Sequence, residues 1–200
     1  MVFSHGSEMT GRGKEKGLAP SQPPEEATPL RPMIYASLFA ALTATGAYLF
    51  VPIGPVPIVL QNMFVFLAGL LLGSRWGLAS VAVYLMAGVC GLPVFAGGTG
   101  GIGRFAGPTG GFLLGYLPVV FLVGWTAERR PGRMLWDVAA MVLGTAALYT
   151  CGVPWLKMVT GMPIEKAVAV GMLPFLAGDA LKIAAAVLIA KSIRPVIRWT

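Results

Sequence analysis

Charged residues are scarce in this chain. Only 12% of its 200 residues are charged and 56% are hydrophobic, whereas soluble domains are about 25% charged. No Asp or Glu occurs between Met33 and Ala127, and the single histidine, His5, lies near the N-terminus. Together with a mean hydropathy of +0.76, this composition excludes an ordinary soluble domain and predicts an integral membrane protein.

Motifs for several common chemistries are also missing. The chain has no GxSxG nucleophile motif, no HExxH zinc motif and no GxxxxGK[ST] phosphate-binding loop. Its two cysteines, Cys90 and Cys151, form no metal-binding motif. Hydrolysis would have to depend on Asp179 and Lys182 nearly alone, which favours binding over catalysis. The sequence therefore predicts a protein that is not an enzyme, with no metal and no cofactor of its own.

The hydrophobic residues fall into six spans, where a helix needs about 20 residues to cross the hydrocarbon core. These spans are Met33–Val51, Ile58–Gly73, Gly77–Gly91, Gly111–Ala127, Met134–Val153 and Gly171–Ala190. We predict an all-α integral membrane protein, with a six-helix transmembrane bundle over residues 33–200. A glycine-rich outer loop would join helices 3 and 4. Residues 1–32 are polar and net neutral, and are predicted to form a disordered tail.

The basic residues are distributed unevenly between the ends of these spans. Six spans place both termini on one side of the membrane, and eleven basic residues, four of them in the tail, fall on that side. The opposite side receives Arg104, Lys157 and Lys166. Because basic loops stay in the cytoplasm, this asymmetry predicts cytoplasmic termini. It also explains the net charge of +7 without a nucleic-acid partner.

Two opposite charges interrupt the last span. Asp179 and Lys182 lie three residues apart and therefore share one helix face. An ionisable group at bilayer depth costs about 2.5–3.5 kcal/mol on insertion scales. One interpretation is a functional site on a substrate pathway. The other is a structural ion pair that holds one helix to its neighbours.

The segment LPVFAGGTGGIGRFAGPTGG (Leu92–Gly111) is the most glycine-dense part of the chain. It contains GxGxxG, but no βαβ context or following acidic residue supports a dinucleotide site. We interpret it as a lid-like outer loop. Its one charge, Arg104, would close over an anionic ligand or stay solvated.

Several polar and aromatic residues near span ends are further candidates for ligand binding. Gln61 and Asn62 begin the second span, where an amide either bonds a ligand or bridges helices. Tyr149 and Phe95 lie near the outer ends of spans. An interfacial aromatic belt is the usual explanation for such residues, and stacking on a ligand ring is the alternative.

Small residues form a stripe on the first span. Ala36, Ala40 and Ala44 repeat at a spacing of four, which lets another helix approach closely. This stripe serves either packing inside the chain or contact with a partner subunit.

Three runs of sequence together resemble the BioY family, the biotin-binding S components (substrate-binding subunits) of energy-coupling-factor (ECF) transporters. They are GPVPIVLQNMFVFLAGLLLGSRWG (Gly54–Gly77), GLPVFAGGTGGIGRFAGPTGGFLLGY (Gly91–Tyr116) and LPFLAGDALK (Leu173–Lys182). The resemblance implies a six-helix protein of a bacterial-type cell membrane that binds biotin near the outer face. An Asp and a Lys of the sixth helix in such sites match Asp179 and Lys182 here. The resemblance thus implies that Lys182 pairs with an anionic or acceptor group of biotin, while Asp179 orients Lys182 or accepts a ureido N–H. From their places in the sequence, we keep Arg104, Gln61, Tyr149 and Phe95 as further candidate site residues.

The resemblance also implies partners. In S components an alanine stripe on the first helix docks on a transmembrane coupling subunit that carries two ATPases, and Ala36, Ala40 and Ala44 would be that stripe here. ATP would then be hydrolysed by partner subunits. The alternatives are an S component for another vitamin, a small membrane enzyme using Asp179 and Lys182, and a purely structural membrane protein.

Overall fold

The computed structural model describes residues 30–52 and 54–195. Its helices are α1 (Leu30–Tyr48), α2 (Gln61–Val89), α3 (Gly103–Ala106), α4 (Gly110–Arg129), α5 (Met134–Thr160), α6 (Ile164–Gly171) and α7 (Leu173–Ile193). The predicted disordered tail lies outside the described residues, except that its last three positions begin α1. The short helix α6 was not predicted from the sequence.

The chain is a multi-pass membrane protein. In its described part, four helical stretches are long and apolar enough to cross a membrane, and α1 is not among them. The stretches are Gln61–Val89, Gly110–Arg129, Met134–Thr160 and Ile164–Ile193. The prediction of a purely helical protein needs one correction, because β1 (Phe50–Val51) pairs antiparallel with β2 (Ile58–Val59). This hairpin closes the proline-rich connector between α1 and α2, which contains Pro52, Pro55 and Pro57. Prolines lack the N–H groups that would extend a helix.

Helix α2 reverses direction in its middle. Gly73 has φ of 78°, which breaks the helix. The side chain of Gln61 bonds the Tyr84 hydroxyl at 2.7 Å, although a straight helix would separate these residues by roughly 35 Å. A Cβ on Gly77 would likewise lie 3.2 Å from the Ala68 carbonyl oxygen. Residues 61–72 and 74–89 therefore lie side by side as antiparallel arms, in the positions of the second and third predicted spans.

Helix α4 packs against the reversal in α2. Glu128 of α4 accepts hydrogen bonds from the Ser74 backbone N–H at 2.7 Å and from the Ser74 hydroxyl at 3.1 Å. Gly124, one turn earlier, lies so close to the Ser74 backbone that a Cβ would overlap it. The carboxylate thus satisfies a backbone N–H that the break at Gly73 leaves without a helical partner.

The predicted alanine stripe faces the interior of the protein. Ala36 and Ala40 are 5% and 7% exposed and belong to the core, and Ala44 is partly buried against it. Helix α1 packs on α2, and small side chains let the two backbones approach. The prediction that these three alanines form an outward docking face is therefore corrected. The small residues on the exposed side of α1 are Ser37, Ala41 and Thr45.

Candidate ligand-binding site

A cavity of about 300 Å³ lies between the proline-rich connector, the glycine-rich loop and the ends of α2, α4, α5 and α7. The walls bring together all six residues that the sequence analysis selected for ligand binding. These are Gln61, Phe95, Arg104, Tyr149, Asp179 and Lys182. They come from four helices and one loop, so the bundle assembles them from distant parts of the chain.

Asp179 is the centre of the polar part of this cavity. It is 3% exposed, and its Oδ1 accepts hydrogen bonds from Asn62 Nδ2 at 2.9 Å and from Lys182 Nζ at 3.1 Å. Its Oδ2 accepts a hydrogen bond from the Tyr149 hydroxyl. A buried charge is tolerated when it is paired and hydrogen-bonded. Three donors from three helices therefore hold the carboxylate in one orientation.

Two groups beside Asp179 retain unused hydrogen-bonding capacity. The Lys182 ammonium carries three N–H donors, and within the described residues it makes one hydrogen bond, to Asp179. The Asn62 Oδ1 atom is buried and has no hydrogen-bond partner in the described part of the chain. Because unpaired buried polar atoms are costly, they call for a partner. A ligand with an acceptor next to a donor would satisfy both groups.

Arg104 approaches the cavity from the other side. It lies on α3, a single helical turn inside the glycine-rich loop, and its Nε donates to Thr99 Oγ1 at 2.7 Å. Its two terminal nitrogens make no hydrogen bond to the described residues, which leaves the guanidinium fork free. Since Asp179 and Lys182 neutralise each other, Arg104 gives the cavity lining a net positive charge. Such a lining favours an anionic group in the ligand.

Aromatic rings form much of the apolar wall. Phe95 is 2% exposed and packs edge-on against Tyr84 and Phe105, with ring centroids 5.7 Å apart in each pair. Tyr149 is also buried and bonds Asp179. Neither Phe95 nor Tyr149 is therefore part of an interfacial aromatic belt. Phe112 and Tyr116 of α4 complete this wall.

Comparison with known proteins places the chain in a family. The family model described as "BioY family" matches residues 19–199. This chain belongs to the BioY family. The resemblance that the sequence analysis drew from three runs of residues is thus confirmed.

Three relatives of this chain are similar to it over nearly their whole length. A protein named "Biotin transporter BioY" from Thermotoga maritima is 40% identical over 161 residues, covering 80% of this chain and 94% of that protein. The "Probable biotin transporter BioY" of Pyrococcus horikoshii is also 40% identical, over 79% of this chain and 93% of that protein. A crystal structure of "the S-component for biotin from an ECF-type ABC transporter" matches with a TM-score of 0.78 and 30% identity, over 83% of this chain and 92% of that one.

The site of this BioY family member also contains residues that sequence reasoning treated differently or missed. Gln61 lines the cavity, but its amide donates to Tyr84 and so bridges the two arms of α2. The sequence left Asn62 between ligand binding and helix bridging. Its nitrogen bridges α2 and α7, and its oxygen has no hydrogen-bond partner in the described part of the chain. Tyr116 was not selected. No local signal distinguishes it from other aromatic residues in an apolar span.

Proposed function

We propose that this chain is the biotin-binding membrane subunit of a vitamin uptake transporter. The observation that carries the proposal is the polar part of the cavity, where a free acceptor on Asn62 and free donors on Lys182 flank one buried carboxylate. A ureido ring offers N–H donors beside a carbonyl acceptor and so complements both groups. Relatives named as biotin transporters, together with the biotin S component of known structure, support this substrate.

The remaining chemistry of biotin also has partners in the cavity. Its carboxylate would pair with the free guanidinium fork of Arg104, and its apolar bicyclic ring would contact Phe95, Phe112 and Tyr116. Asp179 accepts three hydrogen bonds already, so its role is to orient Lys182 and Asn62 rather than to bind the ligand itself. The cavity volume, about 300 Å³, is at the lower end of the range for small-molecule sites.

Titration of the detergent-purified chain with biotin tests this proposal. We expect one-to-one binding by calorimetry, with weaker binding of desthiobiotin because it lacks the thioether ring that the aromatic wall contacts. Absence of biotin binding by protein that unfolds cooperatively on heating would remove biotin as the substrate. Binding of another small vitamin in the same assay would then assign the site to that ligand.

For the membrane topology we propose six spans with both termini in the cytoplasm of a bacterial-type cell. The two antiparallel arms of α2, together with α1, α4, α5 and α7, supply six helical segments. The reversal in α2, the α4–α5 connection and the end of α7 carry Arg75, Arg129, Arg130, Arg133 and Lys191. These residues lie at the end of the bundle opposite the cavity, and the positive-inside rule places that end in the cytoplasm. The cavity then opens toward the outside of the plasma membrane.

We further propose that a transmembrane coupling subunit with two ATPases is the partner of this chain. ATP would be hydrolysed by those ATPases, and the chain itself would need no cofactor. The partner would contact the exposed side of α1, where Ser37, Ala41 and Thr45 replace the buried alanines as the small-residue stripe. The surrounding lipid bilayer covers the other apolar faces. Relatives named as transporters argue against the rival interpretation as a membrane enzyme.

Ala41→Trp is expected to abolish association with the coupling subunit and to leave biotin affinity within twofold of the parent (roughly 0.4 kcal/mol). Ala41 is exposed, so an indole there obstructs a close helix contact without disturbing the core. Co-purification of the coupling subunit is the measurement, with Ala184→Trp on the exposed side of α7 as the matched control. Normal association of the Ala41→Trp variant would exclude this face of α1 as the docking surface.

A further inference from the structure

Three arginines lie over tryptophan rings at the end of the bundle opposite the cavity. The guanidinium carbon of Arg129 lies 3.4 Å from the ring centroid of Trp125, and that of Arg130 lies 4.7 Å from the ring centroid of Trp136. Arg75, beside the reversal in α2, lies 5.8 Å from the ring of Trp76. We call these six residues, together with Arg133, the arginine–tryptophan surface.

The members of this surface lie close together because Glu128 ties the reversal in α2 to the end of α4. Its carboxylate accepts hydrogen bonds from Ser74, which precedes Arg75, and it is itself followed by Arg129 and Arg130. Trp136 lies at the start of α5, just after the short α4–α5 connection. Four guanidinium groups from two helices and one connection therefore share one end of the protein.

Carboxylates of the described residues form no ion pair with the arginines of this surface. Asp137 is 3% exposed and forms a bidentate ion pair with Arg194, with N–O distances of 2.9 and 3.0 Å. Glu128 accepts hydrogen bonds from Ser74 and keeps its single negative charge, which four arginines outnumber. None of the four arginines of the surface forms an ion pair within residues 30–52 and 54–195. Stacking on an indole face leaves the planar N–H fork of an arginine free to bind a phosphate with two hydrogen bonds.

Exposed apolar side chains lie directly beside these charges. Leu135 is 84% exposed and Met134 is 52% exposed, and Trp125 and Trp136 retain 42% and 39% exposure. Tryptophan is the residue that membrane proteins place at the level of the lipid headgroups. A surface with arginine forks above exposed apolar groups is complementary to a lipid with an anionic headgroup and acyl chains.

We propose that the arginine–tryptophan surface is a binding site for anionic phospholipids, whose phosphates pair with Arg129, Arg130 and Arg133. An acidic protein segment would match the charge, but it would not use Leu135 and Met134 at the same time. The chain's own N-terminal segment is a poor alternative, because over residues 1–32 its four acidic residues are balanced by four basic ones. A lipid satisfies both the charge and the apolar exposure.

Tryptophan quenching by brominated lipids tests the site. The full chain is reconstituted in phosphatidylcholine vesicles that contain a fixed minority of phosphatidylglycerol, and the bromine is placed on one lipid or the other at constant composition. Random mixing predicts quenching in proportion to each lipid's share. We expect phosphatidylglycerol to be enriched about fivefold near the tryptophans, since one basic residue near an anionic surface contributes an effect of this size.

Variants assign the enrichment to this surface. Substitution of Arg129, Arg130 and Arg133 by glutamine should return the enrichment to the random value. The matched control, Lys157→Gln with Lys166→Gln, removes two exposed charges outside the surface and should retain the enrichment. Triple substitution by lysine keeps the charge but removes the planar guanidinium fork. It should lose at least half of the enrichment, and a twofold loss corresponds to about 0.4 kcal/mol.

Three outcomes would overturn the proposal. Equal quenching by both labelled lipids in the parent protein would exclude anionic-lipid binding, and it is also the result expected if an acidic protein segment occupied the surface. Enrichment that survives the glutamine substitutions would place the lipid elsewhere. Full enrichment in the lysine variant would mean that positive charge alone attracts the lipid, without a contribution from the planar guanidinium fork. For each variant, quenching by labelled phosphatidylglycerol is compared with quenching by labelled phosphatidylcholine. Thermal unfolding of the same samples confirms that the variants are folded.

Discussion

Substitution of Lys182 by alanine is expected to weaken biotin binding at least tenfold, about 1.4 kcal/mol. Lys182 is 7% exposed and donates to Asp179, which is 3% exposed. Its remaining N–H groups are proposed to bind the ligand. Alanine would remove those donors and would also leave the carboxylate without its counter-charge among the described residues. Loss of one partner from a buried polar contact costs more than loss of a contact at an exposed rim.

Asp179→Asn is expected to produce a loss of similar size by a different route. The carboxylate accepts from Asn62, Tyr149 and Lys182, whereas an asparagine amide offers one acceptor oxygen and an NH2 group that can only donate. Lys182 would then lose its counter-charge, and Asn62 would lose the contact that directs its free oxygen into the cavity. Both groups should become less well oriented for the ligand.

Calorimetric titration of both variants with biotin is the measurement. Lys191→Ala provides the matched control, because Lys191 lies exposed in the last turn of the same helix, far from the cavity. It should bind biotin like the parent protein. Parental affinity in both Lys182→Ala and Asp179→Asn, with cooperative thermal unfolding retained, would refute the site. The pair would then be structural.

Arg194→Met is expected to destabilise the protein without changing biotin affinity. Asp137 of α5 is almost fully buried and has Arg194 as its ion-pair partner. Removal of one member leaves an uncompensated buried charge, which costs about 3 kcal/mol at the lower end of the range for buried pairs. The lower end applies because the Arg194 side chain is 22% exposed. The melting temperature in detergent should fall by roughly 6–12 °C.

The double variant Asp137→Leu with Arg194→Met separates charge from packing. It removes both members of the pair, and replacement of a buried ion pair by apolar residues is often neutral or stabilising. We therefore expect most of the lost stability to return. A double variant as unstable as Arg194→Met alone would mean that packing of the arginine stem, rather than an unpaired Asp137, accounts for the loss. The cavity lies at the other end of the bundle, so biotin titration should give the parental affinity throughout.

Local composition was sufficient to predict the class of protein, and residues selected from the sequence line one cavity. Long apolar segments identify membrane helices because a helix satisfies its own backbone hydrogen bonds in lipid. Asp179 and Lys182 stand out for the same reason, since their charges are costly in an apolar span and their spacing of three puts them on one face. The family resemblance was likewise carried by the order of short runs along the chain, and the family comparison confirms it.

Other features depend on residues that are far apart in the sequence. The partners of Asp179 include Asn62, which is 117 positions away, and Tyr149, which is 30 positions away. No periodicity in a single span reports such contacts. Whether the alanine stripe of α1 faces the chain itself or a partner could not be decided from the sequence for the same reason. Ala36 and Ala40 are four residues apart and face α2. Ser37 and Ala41 are also four residues apart, and they are exposed.

The sequence by itself determined that the chain belongs in a membrane, approximately where its helices lie, and which charged residues are unusual there. The tertiary structure decided the reversal at Gly73, the inward face of α1, and the free oxygen of Asn62 beside Lys182. The physical reason is that burial in lipid acts on each segment separately. Hydrogen bonding and close packing between helices depend on which segments the fold brings into contact.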